Sequence, residues 1–550
     1  MSLLRAFAIA LLCWLAVSAL AQHQHPVENP KRTDQPALLF DAVGDWHHRV
    51  STQSATAQRY FDQGLNLVYA FNHAEAIRSF REAQKHDPKL AMAFWGEALA
   101  LGPNINDPGD RERNLAAHQA LEKARALTAG ATEAERAYIE ALAVRFSADK
   151  DADQAELNKK YAEVMAKVAA RYPDDADALV LYAAALMEAM PWNYWSKDGQ
   201  PHPGTEDAIR VLESVLARHL DHAGANHYHI HILEAKDPDR AVPSAERLAL
   251  LAPEAGHLVH MPGHIWIRVG RYQDAATANE WGTLADEAYF ARSGEKGLYF
   301  VGYYPHNIHF LNYATLFEGR SRRALSSARK GATTLPEDMS TAPSFAQSIA
   351  VTPLFTMVRF GLWDDILKEP LPGKTPFLEA IWHYARGMAH AGKKQLPEAE
   401  KELAQLNALS AKAELKNFAV GNNKAVQVAD IASHSLAGEI AARQGKWDAA
   451  IDHLKKAVAG EDALTYNEPA DWPYPARHWL GAALLEAGRA AEAEAVYRQD
   501  LRIHRENGWS LFGLMQSLKA QGKAAEAAEA EKRFQQAWKR ADVVLTASRF

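Results

Sequence analysis

The chain has 550 residues, 61 basic and 68 acidic side chains for a net charge of −7, and 48% hydrophobic content. That balance, with no basic stripe, excludes a general nucleic-acid-binding role. The only cysteine is Cys13, so the rest of the chain has no thiol nucleophile, thiolate-held iron–sulfur cluster or Cys-type zinc site, and any metal there must be held by His, Asp, Glu or Met.

In chain order, the first element is an export signal. Arg5 precedes the apolar run AFAIALLCWLAVSALA (Ala6–Ala21), and Ala19-Leu20-Ala21 fits the small-x-small cleavage pattern. Residues 1–21 are therefore expected to be removed, leaving Gln22 as the mature terminus of a periplasmic or secreted protein. A retained anchor is the alternative, but the run is short for a span of about 20 residues. No later segment is apolar enough over sufficient length to cross a bilayer. Residues 22–50 are polar and contain proline, and are expected to form a flexible arm. Its His23 and His25 are too few to carry a metal assignment.

Residues 51–550 read as one continuous run of helices, rich in Ala, Leu and Glu and punctuated by Gly, Asp and Pro. A repeat begins at Tyr60. Gly64 is followed by Ala76, Phe80, Ala83 and Pro88 at spacings of twelve, four, three and five. Similar spacings link Gly438 to Ala450, Leu454 and Ala457, and Gly481 to Ala493 and Tyr497; Gly387 with Ala399, and Gly513 with Ala525 and Ala528, fit more loosely. Small residues are needed where two helices cross closely, an aromatic fills the gap beside them, and proline stops the second helix. On these residues the chain resembles the tetratricopeptide repeat (TPR) family. The resemblance implies an all-α, right-handed superhelical α-solenoid with a concave groove lined by the first helix of each repeat, and a protein- or peptide-binding role.

The middle repeats, about residues 220–320, depart from the pattern. Counting back twelve from Ala241 and Ala276 gives His229 and His264 where Gly64 stood, and the third unit has Asn312 there. Eight of the 24 histidines lie between residues 227 and 309. On a helix His227 and His231 share one face, with Glu234 a turn further on, while His229 points away. At about 100° per residue, His257, His260 and His264 fall on the opposite side of the next first helix, so His227 and His231 can meet His260 and His264 across one seam. Pro262 weakens that second pair, because it kinks or delays the helix. His306 and His309 fall on the groove face of the following repeat.

These residues are expected either to ligate a transition metal (copper, zinc or iron), with Glu234 as an outer partner of the ligands, or to form a histidine-rich packing seam. The metal set is His227, His231, His260, His264, His306 and His309. If the site is catalytic, metal-assisted hydrolysis and copper oxidation are the chemistries open to it; a metal-free scaffold of an envelope assembly is the alternative. The aromatic loops MPWNYWSKDGQPHPG (Met190–Gly204) and TYNEPADWPYPARHWLG (Thr465–Gly481) suggest a more closed groove. Expected to line it are Trp192, Trp195, Asn226, Tyr304, Trp472, Tyr474 and His478, facing a protein, a peptide or a small molecule. Gly-rich phosphate loops, Gly-x-Ser-x-Gly elbows and His-Glu-x-x-His helices are absent.

Overall fold

The structure, a computed structural model, describes residues 36–336, 338–339 and 344–550. The export signal, His23 and His25 lie outside them. Helix follows helix from Ala55 to Ala537, and the strands among the described residues are one two-residue pair, Ala419–Val420 with Asn423–Lys424. No described helix is long and apolar enough to cross a membrane. The architecture is an all-α, TPR-like solenoid.

The repeat spacing has a direct steric cause. The helices Ala55–Tyr69 and His73–His86 pair, and a Cβ at Gly64 would lie 2.8 Å from the Phe80 ring. The next first helix, Ala91–Leu101, meets the same ring at Gly96, where a Cβ would come within 2.3 Å. Tyr497 does the same between Gly481 and Gly513, at 2.3 and 2.1 Å. One aromatic thus fills the crossing of two successive first helices, and only a residue without a side chain lets it in.

Two apolar cores run along the array, one between Phe40 and Phe317 and the other between Met339 and Ala530. The second half folds back against the first. Trp509 Nε1 donates to the Leu316 carbonyl (3.0 Å), Arg505 pairs with Asp239 (2.8 Å), and Lys197 Nζ donates to the Ala463 carbonyl (2.9 Å). Residues of both halves line one cavity where they meet.

Both ends are tied down. The segment expected to be a flexible arm is, over residues 36–50, a packed strap with Phe40, Val43 and Val50 buried. Its backbone finds partners in the array: Gln63 accepts from Phe40 N–H (2.8 Å), and the Ala42 carbonyl accepts from Glu254 N–H (3.0 Å). The strap ends on a buried carboxylate, Asp177, which accepts from Trp46 Nε1 (2.9 Å), His48 Nδ1 (2.8 Å) and Tyr69 OH (2.6 Å). At the other end, Ser548 donates to the His478 carbonyl (2.6 Å) and Arg549 pairs with Glu439 (3.2 Å) and Glu486 (3.0 Å).

Candidate metal centre

The stretch GANHYHIHIL forms the buried helix Ala223–Leu233, so the three alternating histidines divide by helical geometry. His229 occupies the slot that holds glycine in the outer repeats. It fits because the aromatic sixteen residues further on, Phe80 after Gly64 and Tyr497 after Gly481, is replaced by Ala245. Its Nδ1 meets Ser244 Oγ at 2.9 Å. Asn312 repeats the exchange with Ala328, donating to the Ala324 carbonyl and Thr356 Oγ1, each at 2.9 Å. After His264 the position holds Glu280, whose carboxylate turns to Arg323 (2.9 Å).

His227 and His231 lie together, with ring centroids 4.8 Å apart. Their third neighbour is His257, from the short helix Gly256–His260, 5.0 Å from His227. The chain breaks at Met261 and resumes as Pro262–Arg268, the interruption anticipated from Pro262. The break does not separate the second pair: the Nε2 atoms of His260 and His264 are 3.0 Å apart. His306, from Tyr304–Phe317, joins them with its ring 4.9 Å from His260. The anticipated meeting of His227 and His231 with His260 and His264 in one four-residue set is therefore replaced by two sets of three. These are His227, His231 and His257, and His260, His264 and His306, each with potential ligand atoms all within 4.8 Å of one another. The sets adjoin through His231 and His264 (5.4 Å between rings) and through His257 and His260 (5.5 Å).

Outer contacts orient several rings. His227 Nδ1 lies 2.7 Å from the Tyr69 carbonyl, which can only accept, so this nitrogen carries the proton and Nε2 the lone pair. His260 Nδ1 is 2.7 Å from Asn279 Oδ1; the Asn279 amide donates to the Ala275 carbonyl, which fixes its oxygen as the acceptor. His264 Nδ1 is held between Glu468 (2.9 Å) and Glu234 (3.1 Å). Glu234 also lies 3.4 Å from His231 Nδ1, which places it beside both sets, as its expected outer role requires.

Electrostatics favour neutral imidazoles. Burial, reinforced by neighbouring rings, pushes His227, His231, His257, His260 and His306 well below the ordinary histidine range. His264 is the exception: burial opposes its charge, but Glu234 and Glu468 outweigh it and raise it to about 9. Neutral imidazole is the form that binds a metal.

The cluster forms one wall of a cavity of ≈ 320 Å³. His231, His257, His264, His306 and His309 reach it, with Glu234, Glu468, Asp107 and Asp471. No lysine or arginine is among its described lining residues, so it attracts cations. His309 lines the cavity outside both triads, held to about 4 by burial. Two further metal-capable groups are present. Glu234, His264 and Glu468 form one, and His48, Asp175 and Asp177 the other, where Asp177 already serves the strap.

The anticipated groove aromatics divide. Trp192 lines the cavity, edge-on to His231 at 5.3 Å. Trp195 turns away and donates to the Ile232 carbonyl (2.7 Å), and Tyr304 donates to Glu287 (2.7 Å). Asn226 is buried behind the helix, donating to the Leu220 (2.9 Å) and His222 (3.0 Å) carbonyls. Trp472 and Tyr474 pack into the second core against Phe355 and Tyr384, because their loop turns inward. His478 is sealed between Arg359 (2.8 Å) and Asp500 (3.0 Å). Their places at the cavity are taken by Tyr303 and Tyr466, and by His257 and Glu468 at the cluster. His257 was visible as the helical neighbour of His260; nothing in the sequence spacing brings Glu468 to His264.

No family model matches the sequence, and no curated protein matches it. Solved structures similar to the chain include the human IFIT1 dimer with m7Gppp-AAAA, at 12% identity over 88% of this chain and 91% of that one, with a TM-score of 0.31. Yeast Tom70 is similar at 12% identity, 88% and 91% coverage and a TM-score of 0.28. The TPR domain of P58(IPK) is similar at 12% identity, 86% and 99% coverage and a TM-score of 0.23. At these scores the superpositions carry no functional inference, and the TPR-like description rests on the repeat geometry of the chain itself.

Proposed function

We propose that this chain is an exported, TPR-like solenoid that holds a first-row transition ion on the imidazole cluster and presents it to a small molecule admitted to the closed groove. The observation that carries the reading is the orientation of His227 and His260: each is held through Nδ1 by a fixed acceptor, leaving Nε2 toward its neighbours. That is how metal-ligating histidines are fixed. A thiol-free, imidazole-rich donor set suits copper, zinc or iron. Such an ion supplies Lewis acidity or, for copper and iron, redox chemistry. The chain's own part is to supply neutral imidazoles, hold the charge of Glu234 and Glu468 beside them, and enclose the reactant between Trp192, Tyr303 and Tyr466.

Metal analysis of protein purified without a histidine tag tests the reading. At least one ion per chain is expected after supplying copper, zinc and iron. Less than about 0.1 per chain would overturn it and leave a metal-free binding scaffold, because a resident ion survives gentle purification. The export reading is tested separately: the chain should fractionate with the periplasm or the medium, with Gln22 as its first residue.

A further inference from the structure

The geometry points to two ions rather than one: we propose that His227, His231 and His257 hold one first-row transition ion, and that His260, His264 and His306 hold a second beside it on the same cavity wall. This rests on the metal reading above and deepens it.

Three observations carry it. The two triads share no residue, and each gathers its potential ligand atoms within 4.8 Å of one another. Two metal–nitrogen bonds of about 2.0–2.1 Å can span little more than about 4 Å, so six rings on four helices are too many for one centre. The triads are also built alike. Each takes a pair of rings four residues apart and a third ring from a later helix, and the short helix Gly256–His260 serves both, His257 completing the first triad and His260 opening the second. A packing seam has no reason to repeat that construction.

The second observation is the polar atoms left without hydrogen bonds. In the first triad, His227 Nε2 and both ring nitrogens of His231 and of His257 are buried with no hydrogen-bond partner. Buried polar atoms are rarely left so, because each loses its water for nothing. Among these five nitrogens each of the three neighbouring rings has one that an ion would satisfy. The second triad is arranged differently: His260 Nε2 and His264 Nε2 face each other at 3.0 Å while their Nδ1 atoms are engaged by Asn279 and Glu468. The first triad therefore presents unpaired nitrogens, and the second a pair of Nε2 atoms that share one proton, which an ion would displace to solvent.

The third is charge. Two divalent ions bring four positive charges to a buried wall, and the cavity supplies anions at that wall and no lysine or arginine among its described lining residues. Glu234 stands at the join, within 3.4 Å of His231 in the first triad and 3.1 Å of His264 in the second, and Glu468 supports His264 from the other side.

The test is stoichiometric, on the full chain, with copper(II) and zinc each used as the probe. Equilibrium titration and elemental analysis after desalting should give two ions per chain for the wild type. His257→Ala should retain one, His306→Ala should retain one, and the double variant none, with far-ultraviolet circular dichroism confirming that each is folded. In the copper form, the wild type should show an electron-spin signal altered by interaction between two Cu(II) ions, and each single variant an isolated Cu(II) signal. A wild-type stoichiometry of one overturns the two-ion proposal while leaving the metal reading intact, whether or not the variants fold. No retained ion at all overturns both.

Discussion

Glu468 and His264 are separated by 204 residues and meet at 2.9 Å, carboxylate oxygen to Nδ1, where the returning half of the solenoid closes over the histidine cluster. Burial and the neighbouring Glu234 raise the Glu468 carboxyl above its usual range, and the His264 ring opposes them. Holding Glu468 ionised therefore costs the metal-free protein electrostatic energy through burial and Glu234, a cost that the His264 contact offsets only in part while it orients a ligand. Glu468→Gln should weaken metal retention by about tenfold, the usual loss when such an outer partner of a ligand is changed. The unfolding temperature of the metal-free protein should stay the same or rise. Chelator competition measures the first and calorimetry the second. A joint fall in both would assign Glu468 a structural role only.

The pair His227 and His231 gives a second prediction. Changing both to alanine should abolish metal retention at the first triad and leave helicity near normal, because the helix Ala223–Leu233 keeps Ile230, Ile232 and Leu233 buried. In the wild type, metal at about a hundred times its dissociation constant should add about 2.7 kcal/mol of stability. The double variant should lose the share contributed by the first triad. A thermal-shift series with zinc and with a chelator reads both, and an undiminished metal shift in the variant would remove this pair from the site.

The strap should make stability depend on pH at both extremes. Asp177 has a carboxyl held well below its usual range: burial pushes it up, but His222 and His48 outweigh burial. Its contribution is present above about pH 4 and is lost as the pH falls through its depressed value. His48 is raised to about 9, burial opposing and Asp177, Asp175 and Asp62 prevailing. That contribution is complete below about pH 6.5 and declines as the pH rises through about 9. Asp177→Asn should cost roughly 3 kcal/mol near neutrality, as breaking a buried ion pair does, and should flatten both flanks of the profile. Unfolding temperatures across the pH range check this; an unchanged profile would show that the strap does not depend on Asp177.

A fourth prediction concerns the glycine slot. In Gly481→Ala the new methyl would meet the Tyr497 ring at 2.3 Å. That ring cannot swing aside freely, since Tyr497 OH donates to Ser548 Oγ (2.7 Å), itself bonded to the His478 carbonyl. Overpacking should cost about 1–3 kcal/mol, against about 1 kcal/mol gained from helix propensity. Denaturant unfolding should show net destabilisation, whereas Gly488→Ala, with open space around its Cβ, should show only the strain of its left-handed backbone (φ 73°).

The fold was legible because its rule is local. Gly64, Ala76 and Phe80 fall at fixed spacings, and a crossing of neighbouring helices needs nothing from elsewhere in the chain. The pairing of His227 with His231 was legible for the same reason. The division of the histidines into triads was not, because it depends on how separate helices set their rings against one another, and no periodicity encodes that placement. The compensation at His229 was written in the sequence, as Ala245 in place of an aromatic, and becomes readable once the crossing is known. Trp472 and Tyr474 sit in a loop with the composition of a binding surface; their burial against Phe355 and Tyr384 depends on the return of the second half, a long-range event.

Repeat arrays ordinarily fray from their termini, where each terminal unit has a neighbour on one side only. Here the strap at Asp177 and the tail at Ser548 and Arg549 hold those termini, while the unpaired imidazole nitrogens and the interrupted helix at Met261 lie in the interior. The weakest link of the metal-free chain is therefore central. Amide exchange would begin around residues 256–268 and spread outward, and loading the cluster with ions would turn the softest stretch of the array into its clamp.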